Sequence, residues 1–226
     1  LSLNRLQLTL DYRFKQEELL KQALTHRSFC RGANNERLEF LGDSVLSLVI
    51  SDNIYDQQPG ASEGDLSRIR ASLVNEAALA RIARDINLGD YIFLGGGELK
   101  SGGFRRASIL SDTLEAILGA IYLDSDFTQV QTSILYLYRV YLQNLPSQSS
   151  LKDPKTRLQE YLQSEKIDIP EYVVMKTIGK SHDQTFTLTC RIHSLNIETS
   201  GIGSSRKKAE QDAAIKALKA LKILNK

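Results

Sequence analysis

Asn35-Glu36-Arg37-Leu38-Glu39-Phe40-Leu41-Gly42-Asp43-Ser44 leads into the apolar run Val45-Leu46-Ser47-Leu48-Val49-Ile50. Read as a helix, this stretch puts Glu36, Glu39 and Asp43 at i, i+3 and i+7, so three carboxylates share one narrow face. Leu38, Leu41, Val45 and Leu48 form a stripe on the opposite face. One turn further on, the acidic face itself turns apolar at Leu46 and Ile50. A helix that is apolar nearly all round is a buried helix. The acids therefore stand at the wet end of a core element, where like charges held close are costly unless something neutralises them. A divalent cation bound by oxygens does so.

A second acidic pair, Asp112 and Glu115, lies at i and i+3 in Ile109-Leu110-Ser111-Asp112-Thr113-Leu114-Glu115-Ala116-Ile117-Leu118-Gly119, again a helix too apolar for the surface. If the two helices face each other, Glu39, Asp43, Asp112 and Glu115 form one cluster. Arg37, the cation within these segments, is turned away from Glu39 and Asp43 by helical spacing. The competing reading is that each acid caps a helix or meets a distant arginine, with Arg68, Arg70, Arg105 and Arg106 available. For any single acid that reading is the better one; for two pairs in core helices a metal site is favoured. The oxygen donors suit Mg²⁺, with Mn²⁺ able to substitute. A di-iron bundle needs Glu-x-x-His pairs, a spacing that none of His26, His182 and His193 has. Carboxylate-held Mg²⁺ points to phosphoryl chemistry.

The remaining chain reads in two grammars. Residues 4–28 are expected to be helical and residues 29–34 a loop, and the acidic helix runs to about Asp56, stopped by Pro59-Gly60. Ser62 and Asn75 look like N-caps of two further helices. Residues 87–103 read as a glycine-rich loop, but Leu99 precedes Lys100-Ser101 where a phosphate-binding P-loop needs Gly, so a tight turn is the favoured reading. Helices follow over 104–123 and 128–143, and 144–154 reads as a linker. Beyond it come a helix over 155–165, a strand over Tyr172–Met175, a hairpin loop from Gly179 to Gln184, and a strictly alternating strand from Phe186 to Ile192. A third strand runs from near Ile197 to Gly203, and a last helix starts around Ser204 with Ala213, Ala217, Ala220, Leu221 and Leu224 on one face. The expectation is a multi-domain chain: an all-α domain over 1–143, then an α+β domain of order α-β-β-β-α over 155–226.

At 226 residues, 42% hydrophobic and 25% charged, the composition is that of an ordinary soluble globular protein. No apolar run reaches the length of a membrane span, and no membrane partner is expected. The start, Leu1-Ser2-Leu3-Asn4-Arg5, has no signal-peptide core and no initiator Met, which implies trimming or omission at that end. Cys30 and Cys190 lack zinc-type spacing and read as free thiols in a reducing cytoplasm. The net charge of +2 conceals an asymmetry: residues 1–150 carry 15 Lys+Arg against 18 Asp+Glu, residues 151–226 carry 14 against 9. A basic C-terminal third suggests a polyanion-binding module. Within it, Arg206-Lys207-Lys208 occupy the first turn of a helix, where the macrodipole disfavours cations. A bound phosphate turns that misfit into an anion site; a solvated charge run is the plainer alternative. The scarcity of aromatics favours the backbone of a duplex over stacking on single strands.

Asn35 to Ser44 resembles the signature of bacterial ribonuclease III almost residue for residue. The resemblance extends to Glu63-Gly64-Asp65-Leu66-Ser67-Arg68, to Ser101-Gly102-Gly103-Phe104-Arg105-Arg106 and to Asp112-x-x-Glu115-Ala116. The C-terminal part looks like a double-stranded-RNA-binding domain, opening with Asp153-Pro154-Lys155-Thr156-Arg157-Leu158-Gln159-Glu160. Mild departures are Ser111, where a small apolar residue is usual, and Ala107, where an acid is common. The resemblance implies a Mg²⁺-dependent endonuclease with metal ligands Glu39, Asp43, Asp112 and Glu115, of which Asp43 and Glu115 are the most essential. Glu36 and Glu63 take lesser roles nearby. It implies RNA contacts at Thr156, Gln159, Glu160, Gln163, His182, Ser205, Lys207 and Lys208. It further implies a homodimer with Phe40 at the interface, where core packing of Phe40 is the competing reading. The products it implies carry 5′-phosphates, 3′-hydroxyls and two-nucleotide 3′ overhangs, and its substrates are ribosomal RNA precursors and structured messenger RNAs. A non-catalytic RNA-binding regulator and an acidic structural protein with a nucleic-acid-binding tail are the alternatives.

Overall fold

The computed structural model describes residues 2–145, 152–179 and 184–223. The chain divides into two compact units, Leu1–Pro146 and Ser147–Lys226.

The described part of the first unit is helical: α1 Leu3–Thr9, α2 Glu17–Ala23, α3 Glu36–Gln57, α4 Glu63–Val74, α5 Glu76–Asp85, α6 Gly96–Lys100, α7 Ala107–Asp124 and α8 Phe127–Gln143. Local caps set several boundaries. Ser62 accepts from the Asp65 N–H and Asn75 from the Ala78 N–H, each satisfying a donor that the first helical turn leaves free. The start of α3 is capped from one residue further out, by Asn34 Oδ1 accepting from the Glu36 N–H at 3.1 Å.

The core is organised on α7. Ile109, Leu110, Leu114, Ile117, Leu118 and Ile121 are all buried, as its all-round apolar pattern demands. Helix α3 crosses it at a pair of glycines. A Cβ on Gly42 would stand 1.8 Å from the Glu115 carbonyl oxygen, and one on Gly119 would stand 2.2 Å from that of Leu38. The two backbones therefore touch, which no larger residue permits. The far end of α7 is tied down by Asp124. This buried carboxylate accepts from Tyr12 Oη at 2.6 Å, the Lys15 N–H at 2.7 Å and the Gln16 N–H at 2.9 Å. It thereby caps α2, whose own N-cap residue Gln16 makes no side-chain bond. These bonds hold the Asp124 carboxyl below the usual carboxylate range, while burial and Asp124 push Tyr12 up to about 12.

Several expectations need correction. Residues 4–28 are not one helix: Asp11 takes φ 50, a left-handed conformation that ends α1, and α2 restarts six residues later. Residues 87–103 carry short helical turns at Leu88–Tyr91, Gly96–Lys100 and Gly103–Arg105. Helix α7 starts at Ala107 rather than 104. Leu48 leaves the expected stripe and is 57% exposed, on the outward side of α3 that also carries Phe40 and Tyr55.

The second unit has α9 Pro154–Ser164, strands β1 Glu171–Ile178, β2 Thr185–Ile192 and β3 Ile197–Gly203, and α10 Arg206–Ala220. The sheet is antiparallel in order β1-β2-β3. Its core joins Leu158 and Leu162 of α9, Cys190 and Ile192 of β2, and Ala213, Ala214, Ala217 and Leu218 of α10. Strict alternation fails in β2, where Leu188, Thr189 and Cys190 are buried in succession because the strand is flanked on both edges. Ala220 is exposed at the end of α10, and Leu224 lies outside the described residues. Of the expected linker, Asn144 still bonds to α8, Asp153 caps α9, and 146–151 lie outside the described residues.

Candidate functional site

The Gly42–Gly119 crossing brings the first turns of α3 against the middle of α7. Carboxylate oxygens of Glu39, Asp112 and Glu115 lie within 4.8 Å of one another. Asp43 is exposed and stands outside that triplet, although it is the strongest charge influence on Glu115. Among the described residues none of the four acids has an ion-pair partner. The expected arginines are engaged elsewhere: Arg68 with Asp65 at 2.8 Å, Arg106 with Glu98 at 2.7 Å, Arg70 with Ser51, and Arg105 over the Phe104 ring. The electrostatic result follows from burial and repulsion. Desolvation, then Asp43, Glu39 and Asp112, push the Glu115 carboxyl up to about 8. Desolvation also raises Glu39 and Asp112. Three hard oxygen donors that repel one another and lack a protein cation fit a divalent metal ion.

Glu39 and Asp112 stand on the wall of a cleft of about 1100 Å³, which is also lined by His26, Arg27, Arg31, Asn34, Asn35, Glu36, Glu98 and Arg106. Glu36 pairs with Arg27 at 3.4 Å and accepts from Asn34 Nδ2, so it helps shape the rim. Glu63 is exposed on α4, accepts from Ser67 Oγ and does not line the cleft. Sequence reasoning missed His26, Arg27, Asn34, Glu98 and Arg106 as site neighbours. They come from loops or short turns, where no periodicity reports facing. Phe40 is 78% exposed, which removes core packing within this chain as its role.

In the second unit, Thr156, Gln159, Glu160 and Gln163 are exposed along one face of α9, opposite the buried Leu158 and Leu162. Glu160 pairs with Lys152 at 2.7 Å. Lys207 and Lys208 are exposed in the first turn of α10, whose N-cap Ser205 accepts from the Lys208 N–H at 3.2 Å. Glu210 bridges Lys155 at 2.6 Å and Arg206 at 3.2 Å, so α9 and α10 are joined by charge as well as by their apolar core. His182 lies outside the described residues.

Residues 16–141 match the family model described as Ribonuclease-III-like, and residues 154–221 match the double-stranded RNA binding motif. A protein of Shewanella denitrificans named Ribonuclease 3 is 55% identical over 225 residues, covering 100% of this chain and 98% of that protein. The Ribonuclease 3 of Aliivibrio fischeri is 54% identical over 217 residues, covering 96% of this chain and 97% of that one. Among solved structures, the ribonuclease III nuclease domain of Campylobacter jejuni, described for flexibility in a region involved in dimer formation, is similar. It aligns with a TM-score of 0.61 at 47% identity, covering 62% of this chain and 97% of that domain.

Proposed function

The chain belongs to the ribonuclease III family and is an endoribonuclease with a double-stranded-RNA-binding domain. On that premise we propose that it hydrolyses double-stranded RNA with Mg²⁺ held by Glu39, Asp112 and Glu115, Asp43 completing the acidic set. The observation that carries this reading is the un-neutralised triplet, open to a cleft through Glu39 and Asp112. A divalent ion bound there supplies an acidified water and a counter-charge for the leaving oxygen. The chain's own contribution is positional. The α3–α7 crossing fixes the carboxylate spacing, and Glu115, pushed up to about 8 without the ion, is drawn into its charged form when a metal binds. On the cleft rim Arg27 and Arg106 are held by Glu36 and Glu98, and Arg31 offers a guanidinium for a phosphate.

Residues 1–143 form the catalytic domain in this reading, 155–226 the RNA-binding domain, and 144–154 join them. Thr156, Gln159, Glu160, Gln163, His182, Ser205, Lys207 and Lys208 contact the duplex by shape, ribose hydroxyl and phosphate. The exposed Phe40 side chain inserts into a second copy, and the dimer cuts both strands to leave 5′-phosphates, 3′-hydroxyls and two-nucleotide 3′ overhangs. Ribosomal RNA precursors and structured messenger RNAs are the substrates. The unpaired thiols Cys30 and Cys190 suit a cytoplasmic enzyme, and among the described residues no helix is long and apolar enough to cross a membrane. The test is a gel assay on a long RNA duplex with Mg²⁺, with EDTA, and with a DNA duplex as control. Wild type is expected to cut only RNA and only with the ion. Glu115→Gln is expected to bind the duplex without cutting it; full activity in that variant refutes the assignment.

A further inference from the structure

The cleft wall that faces Asp112 carries a histidine held with unusual completeness. The backbone around His26 is pinned on two sides. Its own N–H donates to the Phe93 carbonyl at 3.1 Å, the Phe93 N–H donates to the Leu24 carbonyl at 2.8 Å, and the Asn35 N–H donates to the Thr25 carbonyl at 2.9 Å. The ring is pinned as well. The Ser28 N–H donates to Nδ1 at 3.2 Å, and Ser28 Oγ lies 2.8 Å from the same nitrogen. Ser28 Oγ in turn accepts from the Gly95 N–H at 3.0 Å, so its own proton is free to point at Nδ1. The Gly95 backbone approaches so closely that a Cβ there would stand 2.2 Å from the Ser28 carbonyl oxygen.

An imidazole nitrogen that receives a backbone N–H carries a lone pair, so the ring proton of neutral His26 resides on Nε2. Burial lowers the ring's proton affinity and keeps it neutral. Among the described residues Nε2 has no partner, and His26 lines the cleft together with Arg27, Arg31 and Arg106. The result is a single, orientationally fixed N–H donor in the same cleft as a metal-type carboxylate cluster, with the Arg31 guanidinium on the same wall.

We propose that His26 is a substrate-contacting residue whose Nε2–H donates a hydrogen bond to a backbone oxygen of the RNA strand lying in the cleft. The proposal rests on the functional reading above. It adds a donor contributed by the α2–α3 loop and locked by the 93–95 segment before substrate arrives, so that little ordering cost remains on binding. The acceptor is either a ribose 2′-hydroxyl or a non-bridging phosphate oxygen.

The experiment compares wild type, His26→Phe and His26→Gln on duplexes carrying a single 2′-deoxy or a single phosphorothioate substitution at each position flanking the cut. Phe keeps a ring without the donor; Gln keeps an N–H near the place of Nε2. His26→Phe is expected to lower kcat/KM on unmodified duplex about ten- to hundred-fold, the effect of one hydrogen bond to a polar or charged acceptor. Gln is expected to restore most of it. One substitution should cost wild type but not His26→Phe: a deoxy position identifies a hydroxyl partner, a phosphorothioate position a phosphate. Equal costs for both enzymes at every position, or Gln no better than Phe, overturn the proposal and leave His26 as a loop anchor. Nitrogen-15 NMR of the intact chain without metal gives a readout independent of catalysis, and a protonated Nδ1 overturns the proposal even if cleavage is normal. A wild type that fails to cut unmodified duplex removes the functional reading instead. If His26→Phe does not fold, Ser28→Ala, which removes the Oγ contact and leaves the backbone N–H as the hold on Nδ1, is compared with Ser28→Ala/His26→Gln. A several-fold loss in the first that the second does not add to His26→Gln supports the contact, and equal losses in both backgrounds refute it.

Discussion

Replacing Gly42 with Ala sets two effects of opposite sign against each other. In a helix interior, Ala is favoured over Gly by about 1 kcal/mol, because glycine loses more backbone freedom on folding. Gly42 lies well inside α3, so propensity alone makes Gly42→Ala stabilising. The packing says otherwise. The added Cβ would sit 1.8 Å from the Glu115 carbonyl oxygen and 2.9 Å from the Gly119 nitrogen, the two atoms that hydrogen-bond each other across one turn of α7. Reaching an ordinary contact of 3.4 Å from 1.8 Å requires the helices to part by the difference, about 1.6 Å. Overpacking of a closed core costs about 1–3 kcal/mol and at times more. The displaced backbone here belongs to α7, which is buried on nearly every side, so we take the upper end and expect a net loss of about 2 kcal/mol or more. Activity should fall further than stability. Glu115 moves with its carbonyl, and an ångström of misplacement at a reacting centre costs on the order of a hundredfold. Urea unfolding of wild type and Gly42→Ala, with cleavage rates at saturating Mg²⁺ and a temperature where both are folded, measures the two effects. Gly64→Ala is the control for propensity, because its Cβ would meet only the Arg68 guanidinium, no nearer than 3.4 Å, and its stability should match or exceed wild type. A Gly42→Ala protein as stable and as active as wild type would refute the backbone-contact account.

Asp124→Asn should destabilise the protein near neutral pH by about 3 kcal/mol, since two amides and a buried tyrosine lose a charged acceptor. Because the folded Asp124 carboxyl titrates below its unfolded value, the stability it contributes is present above about pH 4 and lost as pH falls through the folded value, so the gap between the two proteins in thermal melts should close in acid. Glu115 has the opposite sign: raised to about 8, it makes the metal-free protein lose stability as pH climbs from about 4.5 through 8. Added Mg²⁺ should reverse that decline and Glu115→Gln should abolish it; a flat wild-type profile in EDTA argues against the repulsive triplet. Lys207→Ala with Lys208→Ala should weaken duplex binding and reduce the salt slope by about one for each phosphate no longer neutralised, as read by anisotropy across a salt series. Phe40→Ala should shift sedimentation toward the monomer without lowering the melting temperature of the separated chain, because the ring is 78% exposed.

What could be read from the residue order divides by the range of the interaction that decides it. Ser62 and Asn75 cap helices through bonds three residues long, and Glu39 and Asp112 betray themselves as acids in helices otherwise too apolar to be wet. Periodicity alone misled where a neighbour decided the outcome. Leu48 sits one residue before the buried Val49–Ile50 pair, but on a wedge with Phe40 and Tyr55 that the rest of this chain leaves uncovered. Thr189 is buried because β2 has a strand on each side, not because of its own polarity. The left-handed turn at Asp11 has no glycine to announce it. The loop-borne groups of the cleft were invisible for a further reason. Arg27 pairs with Glu36 and Arg106 with Glu98, and only the folded loops bring such residues to one rim.

Asp124 sits at the carboxyl end of its helix, where the peptide dipoles repel an anion. Three donors from a segment about a hundred and ten residues earlier outweigh that repulsion. The tether joins residues 12–16 to the rod bearing Asp112 and Glu115, so local opening of one is expected to disturb the other. A protease probing the amino-terminal arm, or a fusion partner pulling on it, would tug on the reaction centre from its opposite pole.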